Sequence, residues 1–308
     1  MILFALIAAL ALEQVRPLDV RVFVLSPLRR YASFFDSRFN DGRARSGVIA
    51  WSLAAMGPAA LAWAAHAALY MLQPLFAYLF DAGVLYLTMG FRQFSHFFND
   101  IHLALRMGEL DRARSLLGEW RGRSAEQASS GEVARLAIEE ALVHSHRYVF
   151  AVILAYVLLP GPSGPLLYRI AALLEREWGA AGRPDSGEFG DFAGRAFAVI
   201  DWLPQRFTAA CFAVVGDFED ALYCWRTQAV RWPDSGSGIL LASGAGALGV
   251  RLGMPVFEAG DVTGRPELGL GDEADTDFMQ SAIGLVWRTL VLCMLLLTLI
   301  GVANWVGR

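Results

Sequence analysis

The residues best placed to do chemistry here are charges set in apolar surroundings, which are costly and normally face a protein interior, a partner or water. In "IDWLPQRFTAACFAVVGDFEDALYCWR", residues 200–226, Arg206 precedes the run "FTAACFAVVG", and Asp217, Glu219 and Asp220 follow it. The run is about half as long as the roughly 20 residues that a membrane-crossing helix needs. A broken or re-entrant helix suits that length. Pro204 removes an amide and restricts Leu203, so a bend is expected at "WLPQR". Non-helical backbone at membrane depth is tolerated only when buried in protein or lining a wet cavity. A second break, "PGPSGP" at 160–165, precedes "LLYRIAALL" with Tyr168 and Arg169. Together the two breaks predict a polar pocket lined by Asp201, Arg206, Tyr168 and Arg169, whose guanidinium groups would hold a carboxylate or a ligand anion. The competing reading is a pair of surface amphipathic helices with ordinary salt bridges. Arg169 and Arg288, the latter inside "LVWRTLVL", also lie close enough to segment ends to snorkel to water.

Other motifs are weaker. "GAGALG" (Gly244, Gly246, Gly249) matches a dinucleotide fingerprint letter for letter. That fingerprint works only at a strand-to-helix turn in a βαβ unit. "GILLAS" before it would make a short strand, but Gly253 and Pro255 cut short any following helix. Close packing through small residues is therefore the better use of these glycines. His144 and His146 would point to different faces of a helix, and His96, Asp100 and His102 lack a third ligand at suitable spacing. No metal site is expected, and these histidines are read as interfacial or solvated. Cys211, Cys224 and Cys293 lie far apart in or beside apolar stretches and read as small buried hydrophobes.

The elements carrying these residues belong to a membrane protein. Of 308 residues, 56% are hydrophobic and only 18% charged, with a mean hydropathy of +0.42. All 26 basic residues are Arg, and the net charge of −4 with no basic tract excludes a nucleic-acid partner. The N-terminal "MILFALIAALALEQ" lacks a basic leader and reads as an uncleaved anchor, spanning or re-entrant. Apolar spans are expected at 47–72, 75–91, 148–159 and 283–306, with Trp287 and Trp305 as interfacial anchors on the last. Residues 13–46 hold seven Arg and residues 92–147 hold eight, with two spans between them. Both stretches are thus placed on the cytoplasmic side. Within 92–147, "HFFNDIHLALRMGELDRARSLLGEWRG" predicts an amphipathic helix with Phe98, Ile101, Leu105 and Leu110 on one face. "SSGEVARLAIEEALVHSHR" predicts a second, starting at Ser130, with Val133, Leu136, Ala137 and Leu142 as its face. Residues 183–191 and 258–277 read as polar, Gly-rich connections. The class is an all-α polytopic membrane protein, one membrane-embedded domain over 1–308 with a cytoplasmic helical insertion at 92–147. Its surroundings are the lipid bilayer of a bacterial inner membrane, with a homo-oligomer or membrane partner as further candidates.

"HLALRMGELDRARSLLGEWRGR", "GPSGPLLYRIAALL", "FGDFAGRAFAVIDWLPQRFTA" and "SGILLASGAGALGVRLG" occur in that order. The chain resembles the CobD/CbiB family of cobalamin-biosynthesis membrane proteins and its relative AmpE. For the synthases of this family, the resemblance implies joining an aminopropanol unit to a corrin carboxyl with ATP, with acidic groups holding magnesium and phosphates at the cytoplasmic face. Against that pattern, "GRSAE" keeps Arg123 but has Ser124 in place of Asp. The Asp-Asp pair falls on Phe197 and Ala198, and the Asn place on Asp201. "VHSHRYVF" replaces an acidic "E-N-x-x-D" region, and "LLE" follows the Tyr-Arg pair. "HSHRYVFAVILAYVLLPGPSGPLLYR" and "IDWLPQRFTA" resemble AmpE more closely, which implies a ligand- or partner-binding member in envelope signalling with a degenerate synthase site. On that expectation no cofactor is required. The alternative is an active adenosylcobinamide-phosphate synthase using MgATP and a corrinoid, with a rearranged acidic set drawn from Glu139, Glu140, Asp217 and Asp220. A structural membrane partner with no ligand site is the third class.

Overall fold

A computed structural model describes residues 2–15, 26–179, 187–258 and 261–307. The described elements are, in chain order, α1 (Ile2–Val15), α2 (Ser26–Phe39), α3 (Ala44–Trp51), a π turn (Ser52–Met56), α4 (Gly57–Leu72), α5 (Pro74–Thr88), α6 (Phe91–Arg106) and α7 (Leu110–Arg121). Then come α8 (Ser130–Ser145), a π turn (His146–Phe150), α9 (Ala151–Leu158), α10 (Ser163–Trp178), α11 (Gly187–Val215), α12 (Phe218–Thr227) and α13 (Ser235–Leu248). Short strands β1 (Val250–Gly253), β2 (Val256–Glu258), β3 (Asp261–Thr263), β4 (Glu267–Leu268) and β5 (Asp272–Glu273) follow, and α14 (Thr276–Val306) ends the described chain.

Three helical stretches, Ala44–Leu72, Ser130–Leu158 and Thr276–Val306, are long and apolar enough to cross a membrane. Leu3–Val15, Pro74–Thr88 and Gly236–Leu248 are shorter apolar helices. This is an all-α membrane protein. The chain divides into two compact units, one of residues 1–90 and 151–204, the other of 91–150 and 205–308.

In the first unit α4 and α5 form the expected hairpin, with Gln73 extended at the turn and Pro74 at the first position of α5, where its missing amide has no helical partner to lose. α10 packs on α4, α5 and α9, and α1 on α5. The expected break at "PGPSGP" is present: α9 ends at Leu158 and α10 starts at Ser163, with Gly161 at φ +60° in the turn. A Cβ there would fall 2.8 Å from the His66 ring, so the turn lies directly on α4.

The expected bend at Pro204 is not a helix break, because α11 runs without interruption from Gly187 to Val215 with Pro204 inside it. Proline removes one amide and leaves the rest of the ladder in place. "FTAACFAVVG" is therefore the end of a 29-residue helix that began in the stretch expected to be a connection. Residues 180–186, the start of that connection, and 16–25, part of the first Arg-rich stretch, lie outside the described residues.

In the second unit α8 starts at Ser130, as expected, with Ser129 as its N-cap in a capping box. The Glu132 amide donates to Ser129 Oγ (3.2 Å) and the Ser129 amide to the Glu132 carboxylate (2.7 Å). Val133, Leu136, Ala137 and Leu142 are buried as expected. The other amphipathic stretch is two helices, because the chain turns at Gly108 with φ +76° between α6 and α7. Phe98 and Ile101 are buried, as are Ala104 and Leu117, while Leu105 and Leu110 are only half-buried.

"GILLAS" is helical, inside α13, and the Gly-rich segment after it carries the short strands. β1 pairs antiparallel with β4 (Leu252 opposite Leu268) and parallel with β5, while β2 and β3 form a hairpin. The glycines of "GAGALG" are packing positions: a Cβ on Gly246 would lie 2.4 Å from the Asp220 carbonyl oxygen, and one on Gly244 2.7 Å from Leu142. Gly249 closes α13 at φ +66°.

Candidate functional site

Tyr168 and Asp201 meet in the first unit. Tyr168 projects from α10 and Asp201 from α11, and the phenol donates to the carboxylate at 2.8 Å with both residues 1% exposed. The Tyr168 ring lies 5.6 Å from that of Phe197, one turn before Asp201. An apolar ring thus fills the place of an acid in the synthase pattern. Arg169, next in sequence, is half-buried.

The same unit holds a second polar centre that the sequence did not suggest. Asp81, 1% exposed on α5, takes the Tyr156 hydroxyl on one oxygen (2.7 Å) and His66 Nδ1 on the other (2.7 Å). Tyr70 stacks on His66 at 6.2 Å. A buried carboxylate is expensive unless its lone pairs are taken, and here three helices supply what one cannot. An Asp and a His fifteen positions apart across a proline turn were the available signal.

Glu139 is the buried acid of the second unit. On α8 and 6% exposed, it takes two bonds from the Arg265 guanidinium (2.7 and 3.3 Å) and one from the Gly253 amide (2.9 Å). Arg265 also donates to the Gly253 and Met254 carbonyls and lies 5.4 Å over the Trp232 ring. Arg135, one turn earlier on α8, donates to Met254 sulfur and the Pro255 carbonyl. Met254 sits at φ +67°, unusual for a residue with a side chain, and these bonds on both sides hold it there. Glu140 faces the other way, toward Arg121 (3.2 Å) and His144 (4.0 Å). His146, expected at an interface or in solvent, is fully buried and shares a 2.9 Å hydrogen bond with Thr208. Helix α11 supplies that partner, which removes the reason for the ring to seek water.

Asp217 caps α12, accepting the Asp220 amide at 3.1 Å, and Asp220 is half-buried one turn on. Arg206 is half-buried on α11. Arg288 donates to the carbonyl of Val215, the last residue of α11, at 2.9 Å, a favourable cation at a helix C-terminus. The three cysteines are free and buried, as expected. Burial pushes the Cys224 thiol up to about 11, with the Asp220 carboxylate adding to the effect.

Arg123 lines an open cleft of about 560 Å³ at the end of α7, together with Asp111, Arg114, Ser115, Ser124 and Glu126. Arg114 is aimed by its bonds to the Ala128 carbonyl (2.8 Å) and Asp111 (3.0 Å). Gly122, at φ +69°, ends α7 and turns the chain so that Arg123 and Ser124 come round to the same cleft. Two guanidinium groups with hydroxyls and carboxylates suit a phosphate ester carrying a divalent cation. Among the described residues no group of three or more His, Cys, Asp or Glu could hold a metal ion by itself. A magnesium ion arriving on phosphates needs only one or two carboxylates, and Asp111 and Glu126 are the acids that line this cleft.

Long apolar helices, acids buried on arginine or tyrosine, and an open cleft at the end of α7 lined by two arginines and two acids define a polytopic membrane protein. The chain belongs to the CobD/Cbib protein family, whose model matches residues 3–286. It is 32% identical over 300 residues to the cobalamin biosynthesis protein CobD of Stutzerimonas stutzeri (strain A1501), covering 96% of this chain and 97% of the relative. A protein of the same name from Chromobacterium violaceum is 34% identical over 215 residues, 70% of this chain and 68% of the relative. The one from Mycobacterium tuberculosis (strain H37Rv) is 31% identical over 172 residues, 54% of each chain. No solved structure matches. These relatives overturn the expectation of an AmpE-like protein of envelope signalling. That expectation leaned on local likeness at residues 144–169 and 200–209 and on missing acids, whereas the likeness to a cobalamin-biosynthesis protein runs along nearly the whole chain.

Proposed function

We propose that this protein acts in cobalamin biosynthesis as an adenosylcobinamide-phosphate synthase of the inner membrane, with residues 13–46 and 92–147 on the cytoplasmic side. The reaction joins the amine of aminopropanol phosphate to a corrin carboxyl, and ATP takes the oxygen that the carboxyl loses. The observation that carries this reading is the likeness to a cobalamin biosynthesis protein along 97% of that protein's length. The cleft at the end of α7 supports it, since Arg123 and Ser124 stand where the synthase pattern has its Arg-Asp pair. In this reading Arg114 and Arg123 neutralise the phosphates of MgATP, Asp111 and Glu126 face the magnesium, and Ser124 donates a hydroxyl in place of a carboxylate. The remaining candidates, Tyr168 with Asp201 and Glu139 with Arg265, hold the scaffold.

Two measurements test it. The gene should restore corrinoid-dependent growth to a strain lacking its own family member, and the purified protein should form adenosylcobinamide phosphate from the corrin acid, aminopropanol phosphate and MgATP. Arg123→Ala should lower kcat/KM for ATP roughly 30- to 100-fold, the loss of about 2–3 kcal/mol from a charge-assisted phosphate contact. Failure of both the growth test and the synthesis would overturn the function. Synthesis unaffected by Arg123→Ala would overturn the assignment of the cleft alone.

A further inference from the structure

We propose that α2 and the turn leading into α3 form a binding surface for anionic phospholipid headgroups. α2 is amphipathic, but its inward face is already taken by protein. Tyr31 donates its hydroxyl to the Ala54 carbonyl (3.1 Å), Ala32 is buried, and Arg29 pairs with Glu177 of α10 (3.2 Å). Phe35 packs between Tyr31 and Phe39. The outward face carries Arg30, Ser33, Ser37 and Arg38, with Phe34 at 56% exposure among them.

The turn that follows is rigidly built. The Gly42 amide donates to Asn40 Oδ1 (3.1 Å) and the Arg43 amide to Asp41 Oδ1 (3.0 Å), with Gly42 at φ +78°. The Ser46 hydroxyl and the Arg43 amide hold the Asp41 carboxyl below its ordinary range, so it stays ionised and keeps the turn closed. Asp36 is engaged by Asn40 at 2.9 Å. Arg43 and Arg45 then stand exposed at the start of Ala44–Leu72, a stretch long enough to cross the membrane.

Position decides what this surface meets. On this proposal the first residues of Ala44–Leu72 lie at headgroup level, which brings Arg38, Arg43 and Arg45 among lipid phosphates with Arg30 at the edge of the cluster. Asp41, the exposed acid among them, makes a loose pair with Arg43 (4.0 Å) and leaves Arg30, Arg38 and Arg45 in excess. Guanidinium groups bind phosphate bidentately, clusters of juxtamembrane arginines draw anionic lipid, and an exposed aromatic ring beside them enters the interface. The pairing of Arg29 with Glu177 and the closed turn preorganise the cluster before lipid arrives.

The test uses the full-length protein in detergent micelles doped with phosphatidylglycerol or phosphatidylcholine, with bound lipid counted by native mass spectrometry. The wild type should retain phosphatidylglycerol at least about 25-fold more tightly than phosphatidylcholine. Each arginine near an anionic surface contributes about fivefold, so Arg30→Gln with Arg38→Gln should weaken phosphatidylglycerol binding about 25-fold and leave phosphatidylcholine unchanged. Arg112→Gln, an exposed arginine elsewhere, should have no effect. If the double variant unfolds early in phosphatidylcholine micelles, each single variant should still show the fivefold loss. Equal retention of both lipids, or an equal loss in Arg112→Gln, would overturn the proposal. Displacement of phosphatidylglycerol by inorganic phosphate at equal concentration would also overturn it and mark a site for free phosphate instead.

Discussion

Glu139→Gln should be one of the most damaging single-atom changes in the second unit. The substitution keeps the side chain's shape and exchanges one carboxylate oxygen for an NH2. Glu139 is 6% exposed and takes three bonds, two from Arg265 and one from the Gly253 amide. A Gln carbonyl in the place of Oε1 can keep the Gly253 amide and the longer Arg265 bond, but the 2.7 Å bond to Oε2 is lost and an NH2 then faces the guanidinium. The guanidinium of Arg265, with only 15% of its side chain accessible, is then left beside an amide and without its countercharge. Breaking a buried pair from one side costs about 3–5 kcal/mol, and the acceptor that Gln retains favours the lower figure. For a chain of this size that corresponds to roughly 2 °C per kcal/mol, a fall in Tm of about 6 °C in detergent. Arg265→Met should cost at least as much, because it leaves the buried carboxylate without its countercharge and also removes the bonds to the Gly253 and Met254 carbonyls. The double variant should lose less than the sum of the two by about 2 kcal/mol. Thermal unfolding of the four proteins decides the matter. Additive shifts that together stay under about 1 kcal/mol would show that the pair is solvated and that Glu139 does not hold the strand segment to α8.

Gly246→Ala places a methyl 2.4 Å from the Asp220 carbonyl oxygen and 2.7 Å from Ala221 Cα, both backbone, so α12 must shift away from α13. A loss of about 1–3 kcal/mol in thermal unfolding is expected, and a neutral result would show that the two helices are loosely packed. Cys224 should resist maleimide at pH 8, because its thiol titrates at about 11 and is buried. The folded thiol holds its proton more tightly than the unfolded one, which titrates near 8.5. Its stabilising effect is therefore complete below about pH 8.5 and is lost as pH rises through about 11. Rapid labelling of the native protein at pH 8 would contradict both statements.

Long apolar runs made much of the fold legible, since the length of such a run is set by the bilayer and needs no partner to be recognised. The hairpin at Gln73-Pro74, the break at "PGPSGP" and the last span all follow from local composition. The strands of residues 250–273 were not legible. They are two to four residues long and set among glycines, so alternation has no room to show. The site was legible in the same uneven way. Tyr168 and Asp201, grouped in the sequence on two expected breaks, do meet, although only the "PGPSGP" break exists and α11 runs through Pro204. Arg265, the partner of Glu139, lies 126 positions away in a stretch that reads as loop, and no local pattern joins them.

The stretch from Ser130 to Leu158 shows why polar residues mislead a hydropathy reading of such a chain. Glu139, Glu140, His144, His146 and Arg147 break the apolar run, and on sequence they separate a surface helix from a short span at 148–159. In the structure the helix continues through them with a π turn at His146–Phe150, and 61% of its most apolar 18-residue window is buried. The polar groups are tolerated because protein, not lipid, surrounds them: Arg265 on Glu139, Arg121 on Glu140, Thr208 on His146. Charge in an apolar helix thus marks the face that packs on other helices rather than the end of the element. The same rule places Asp81 within its hairpin, bonded to Tyr156 and His66. The catalytic question then moves away from these acids. In the function proposed above these acids hold the fold, and the exposed Arg123 and Ser124 at the open cleft are the groups offered to a substrate.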